Sequence, residues 1–122
     1  MLLTPFKFKS EVKGDVLHVS YTGRIRRKRM DKVMDKIYLL LHKDEHKKVL
    51  INALKADVHL ELKEIMHMAK VHPPIFKRAK TAVIEKKKKF NQYSLYETVA
   101  ENHGTNMKFF NTVKEAEAWL QA

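Results

Sequence analysis

The apolar residues of this chain change their period as the sequence is followed, and that change constrains its fold more than any other feature. "FKFKSEV" (6–12) and "DVLHVSY" (15–21) alternate apolar and polar positions, the period of half-buried strands. Lys13 and Gly14 between them predict a tight antiparallel hairpin. From 26 to 42 the spacing shifts: Met30, Val33, Met34, Ile37 and Leu41 recur at i, i+3 and i+4, giving one apolar helix face. "KKVLINAL" (47–54) reads as a buried strand. "LELKEIMHMAK" (60–70) reads as a short helix with Leu62, Ile65, Met66 and Ala69 inward, halted by His72-Pro73-Pro74 because proline lacks an amide hydrogen.

The alternation continues to the end. "AKTAVIE" (79–85) predicts a strand, and 90–103 a helix through Tyr93, Tyr96, Val99 and Ala100, with Gly104 as its left-handed stop. "NMKFF" (106–110) predicts the last strand. Thr112 and Glu115 have capping-box spacing, opening a final helix that docks through Ala116, Trp119 and Leu120. Gly14, Gly23 and Gly104 read as hairpin, strand exit and helix stop, which leaves no glycine for a phosphate-cradling loop.

The order β-β-α-β-α-β-α-β-α implies an α/β fold: a mostly parallel sheet with an antiparallel N-terminal strand and right-handed crossovers. The 122 residues are expected to form a single domain, with no internal repeat or linker. In 15–21, Leu17, Val19 and Tyr21 alternate with His18 and Ser20, which points to burial on one side only. There is no cysteine, which excludes disulfides and thiolate chemistry and agrees with a cytoplasmic setting. "MLLTPFKFKS" lacks the pattern of a signal peptide, and no apolar run nears the roughly 20 residues of a membrane span.

With that order in place, the chain resembles the STAS-like superfamily, specifically its SpoIIAA-like branch, which overlaps structurally with CRAL-TRIO lipid-binding domains. The resemblance is carried by the hairpin ending "YTGRI", the strand "KVLINAL", the strand "AKTAVIE" and the terminal "MKFFNTVKEAEAWLQA". It implies a non-enzymatic interaction or ligand-binding module, with a lipid or hydrophobic small-molecule carrier as the alternative. It also brings in the anti-sigma-factor antagonists, which carry a phosphorylatable serine where the central strand meets the next helix. Here that junction, "LKADVHLELK" (54–63), offers Asp57 but no serine or threonine, which disfavours that role.

The net charge of +11 is concentrated in two segments. Residues 24–36 hold seven basic and two acidic groups, and residues 70–89 hold eight basic groups and Glu85. Within the first, "GRIRRKRM" packs five basic side chains into the six positions from Arg24 to Arg29. In a parallel sheet the loops leaving the strands' carboxyl ends gather along one edge, where open α/β sheets bind ligands. Three loops should meet there: 23–29, 54–60 and 86–90. The expected anion- or partner-binding residues are Arg24, Arg26, Arg27, Arg29, Asp57, His59, Lys86, Lys87, Lys88 and Lys89, aided by the free amides of two helix starts. An acidic protein, an anionic small molecule or a lipid head group would suit such an edge. The oligomeric state is not legible.

Other chemistries find less support. "KKKKFNQYSLY" interleaves lysines with Phe90, Tyr93 and Tyr96, as stacking platforms for nucleic acid do, but both tyrosines fall on the stripe that the helix needs for its core. The helix 26–42 resembles an interfacial membrane helix, yet a crossover helix needs the same apolar face. His42 and His46 flank Asp44 and Glu45, but lysines surround them, so no metal is assigned. No cofactor fingerprint or nucleophile elbow occurs, so no catalytic residue is assigned. Asp57 and His59 are the one acid–base pair on the edge, and an enzyme would need them together in a closed cleft. Met30, Met34, Met66 and Met68 fit a core, or else an adaptable pocket.

Overall fold

The computed structural model describes residues 4–72 and 74–122; the side chains of Asp44 and Ile75 are outside the description. The start of the N-terminal segment (1–3), Pro73 of the helix stop and the Asp44 side chain of the histidine cluster therefore lie outside the described residues. Strand β1 (Lys7–Lys13) turns at Gly14 into β2 (Val16–Ile25), and the two pair antiparallel from Lys7 opposite Thr22 to Lys13 opposite Val16. Helix α1 (Arg27–Asp44) leads to β3 (Lys48–Asn52) and then to a three-residue strand β4 (Ala56–Val58). Helix α2 (Leu62–Lys70), a single turn α3 (Ile75–Arg78), β5 (Lys80–Ile84), a 3₁₀ turn (Lys87–Lys89), α4 (Phe90–Asn102), β6 (Met107–Phe110) and α5 (Val113–Gln121) complete the chain.

The sheet order is β1-β2-β3-β5-β6, antiparallel at β1–β2 and parallel throughout the rest, with β4 pairing in parallel to the end of β2. One face buries Leu17, Val19, Tyr21, Val49, Ile51, Val83 and Phe109 against α1, α2 and α4. The α1 stripe does this through Met30, Val33, Ile37 and Leu41, all buried as their spacing predicts. On the opposite face α5 docks Ala116 and Leu120 on Val16, Leu50, Ala82 and Ile84. Thr112 caps α5 by accepting from the Glu115 amide at 3.3 Å. His18, Ser20 and Thr22 of β2 stay only half-buried on that side, but α5 buries Val16 there, so helices cover both faces of the sheet and the one-sided burial suggested by the alternation holds only beyond Val16.

Three expectations need correction. The segment 54–60 is not a plain loop, because its centre forms β4. Leu62 does not turn inward: it is the first residue of α2, at a turn held at the surface by a capping box between Glu61 and Glu64, and it is 51 % exposed. Gly23 is not the exit of β2 but an interior position, with φ +93°. At this residue the strand exchanges partners, pairing with β3 over Leu17–Ser20 and with β4 over Gly23–Ile25. The passing chain is so close that a Cβ on Gly23 would lie 2.8 Å from the Phe6 backbone, so only glycine fits.

Candidate functional site: a basic lip at the strand ends

The over-long β2 carries its basic residues out past the sheet. Arg24 lies opposite Asp57 and Ile25 opposite Val58 in the β2–β4 ladder, and the His59 amide closes it on the Ile25 carbonyl at 2.8 Å. Successive carbonyls of a strand point to opposite sides, so those of Ala56 and Val58 face away from β2. Two lysines satisfy them: Lys86 Nζ donates to Ala56 O, and Lys89 Nζ donates to Val58 O at 2.8 Å. A 3₁₀ turn has three residues per turn, which places 86 and 89 on one side, over β4, and leaves Lys87 and Lys88 in solvent. The three strand-end segments are thus stitched to one another through β4.

Within the lip, Arg24, Arg26, Lys28, Arg29 and Lys32 line an open groove of about 330 Å³ with no acidic side chain among them. Arg29 is held in place, its Nη1 donating to the Arg24 carbonyl at 3.2 Å and its guanidinium stacked 4.7 Å over Phe6. Among the described residues, the side chains of Arg26, Lys28 and Lys32 have no hydrogen-bond or ion-pair partner. Arg27 points elsewhere, paired to Asp31 at 3.0 Å. Arg26 is also the N-cap of α1 and makes no side-chain cap, so the first amides of an 18-residue helix open onto the same lip.

Asp57 and His59 do meet, with Nε2 2.8 Å from Oδ2, but both side chains are exposed, at 69 % and 46 % respectively. The His59 hydrogen bond holds the Asp57 carboxyl below its usual range, and Arg24 and Lys86 act in the same direction. This is a solvated pair and not a cleft. Tyr93 and Tyr96 are buried against Phe109, which removes them as stacking platforms for nucleic acid. The apolar face of α1 is likewise covered by the sheet and unavailable to a membrane surface. No helix among the described residues is long and apolar enough to cross a membrane.

Sequence reasoning missed Lys28 and Lys32 as groove residues; α1 periodicity places positions 28 and 32 on one polar side, and that was the available signal. It also passed over Glu85, which is 2 % exposed. Glu85 lines an apolar cavity of about 50 Å³ beneath the lip, together with Tyr21, Met30, Met34, Met68 and Tyr93. That is about a third of the roughly 150 Å³ of an apolar cavity able to hold benzene.

No protein-family model matches the sequence, and no curated protein matches it. Solved structures do. An anti-sigma factor antagonist from Mycobacterium paratuberculosis superposes with a TM-score of 0.67 at 14 % identity, covering 97 % of this chain and 96 % of that one. An uncharacterised DUF3478-family protein with a SpoIIAA-like fold, from Shewanella loihica PV-4, gives 0.56 at 18 % identity, covering 98 % and 96 %. The chain has a STAS/SpoIIAA-like fold.

Proposed function

We propose that this chain is a non-catalytic SpoIIAA-like binding module that docks an acidic protein partner on the basic lip. The observation that carries the reading is the groove of five cationic side chains without an acidic one among them. Like charges this close repel one another in the free protein, and an anionic surface laid across them relieves that cost. The groove is open and no buried polar side chain lines it, which suits an extended acidic surface better than an enclosed small molecule or a single lipid head group. Lys87 and Lys88 would extend the contact beyond the groove.

The Mycobacterium protein of the same fold is named as an anti-sigma factor antagonist, which agrees with a protein partner. The absence of serine and threonine from 54–63 argues against a phosphorylation switch at that junction here. A fluorescent poly-glutamate peptide tests the reading by anisotropy. Binding should fall steeply as salt rises and should weaken at least tenfold when Arg24, Arg26 and Lys28 are replaced together by Glu. Binding that survives those replacements unchanged would overturn it.

A further inference from the structure

On its side of the sheet α5 packs on β3, β5 and β6 and reaches β2 at Val16, so the β1–β2 hairpin beyond that residue has no helix over it. The register lays polar side chains across this open face in rows. Lys9 is opposite Ser20 and Ser20 is opposite Asn52, so one row crosses three strands. Lys7 opposite Thr22 forms the next row. With Lys55, just past β3, these residues line a concavity of about 430 Å³ that has no acidic side chain in its lining. Small-molecule sites occupy roughly 300–1,000 Å³.

Two hydrogen bonds set its shape. Thr22 Oγ1 donates to the Pro5 carbonyl at 2.9 Å, pinning the chain that enters β1 as one wall. The Leu54 amide donates to Asn52 Oδ1 at 3.0 Å, which orients the side-chain amide and leaves Nδ2 as a donor. Among the described residues, that Nδ2, the Ser20 hydroxyl and the ammonium groups of Lys7, Lys9 and Lys55 have no hydrogen-bond or ion-pair partner. Lys7 and Lys9 rise from the same side of one strand, about 7 Å apart along it. Their like charges repel until an anion lies between them.

We propose that this concavity binds a small sugar phosphate, its phosphate held by Lys7, Lys9 and Lys55 and its hydroxyls by Ser20 and Asn52. Lysine ammonium groups meet phosphate as point charges, and the uncharged donors beside them suit a hydroxyl-bearing body. Farther along the open face, toward the hairpin turn, the carboxylates of Glu11 and Glu117 enter the lining. They repel the continuing backbone of an anionic polymer, which selects a compact anion over a nucleic acid strand. None of these three lysines lines the arginine groove, so the site is independent of the acidic partner proposed there.

The test titrates ribose 5-phosphate, ribose and inorganic phosphate separately into wild-type protein, to about 10 mM at 150 mM salt, observed through the backbone amide signals in nitrogen–proton NMR. Ribose 5-phosphate should shift Lys7, Lys9, Ser20, Asn52 and Lys55 saturably. It should bind at least tenfold more tightly than ribose and at least threefold more tightly than phosphate. Lys9→Gln with Lys55→Gln, both at exposed side chains, should weaken it at least tenfold, whereas the Arg24→Glu, Arg26→Glu, Lys28→Glu protein should bind it as wild type does. No shift at those residues, or shifts confined to the arginine groove, would refute the site. Phosphate binding as tightly as ribose 5-phosphate would refute the sugar, and undiminished binding by the lysine variant would refute the clamp.

Discussion

Arg24 sits directly opposite Asp57 in the parallel ladder that joins the overhanging end of β2 to β4. That pairing brings the arginine-rich start of α1 beside the lysine run, because β4 is gripped from its other side by Lys86 and Lys89. The lysines of one short run therefore divide their work: two fasten the lip, and two remain free in solvent.

Replacing Lys86 and Lys89 together by Met should loosen β4 while leaving the arginine groove in place. Each contact is a charged donor on a backbone carbonyl at a partly exposed site, contributing about 1 kcal/mol. Amide exchange at His59, whose bond to Ile25 closes the ladder, should accelerate by about tenfold or more, with core strand β3 unchanged. Equal protection in variant and wild type would show that the lysines do not fasten β4.

Gly23→Ala should be among the most damaging single-methyl additions in the chain. It places a Cβ against the Phe6 backbone and forces a side-chain-bearing residue to φ +93°. A cost of about 2 kcal/mol or more follows, read as a fall in melting temperature of the order of 8 °C. A Gly14→Ala control, with open space around its Cβ, should lose less, since it carries only the backbone strain of φ +61°.

Acidification should weaken the fold through His72. Its ring hydrogen-bonds the Tyr96 hydroxyl and lies against Phe76, and burial lowers its pKa to about 4. The unfolded chain takes up a proton near pH 6.5, whereas the folded chain resists it until about pH 4, so stability is full above 6.5 and is lost as pH falls. Between pH 7 and pH 5 the loss is about 2 kcal/mol. Glu85 works the other way: its raised carboxyl gains protons more readily when folded and recovers part of that loss. Urea unfolding at the two pH values should show a flatter dependence in His72→Gln than in wild type, whatever the variant's stability at pH 7.

Much of the fold was legible because its elements obey short-range rules. The α1 stripe, the tyrosine stripe of α4 and the Thr112 cap depend on residues three or four apart, which a sequence displays directly. Strand β4 was not legible, since "ADV" has no period of its own and exists through an overrun of β2 and two lysines some thirty residues away. The meeting of the basic turns followed from parallel-sheet topology. Which cations would line the groove did not, since that depends on Arg27 turning to Asp31 while Lys28 and Lys32 do not find a carboxylate.

The proposed function requires the groove to be an attachment surface and not merely a solvated run of charge. Affinity for the poly-glutamate peptide, measured on wild type and on the Arg24→Glu, Arg26→Glu, Lys28→Glu variant at 50 and 300 mM salt, tests that most directly. Wild type should bind at low salt, release the peptide at high salt, and bind at least tenfold more tightly than the variant, whose melting temperature stays near that of wild type. Equal binding by both proteins, or none by either at low salt, would contradict it.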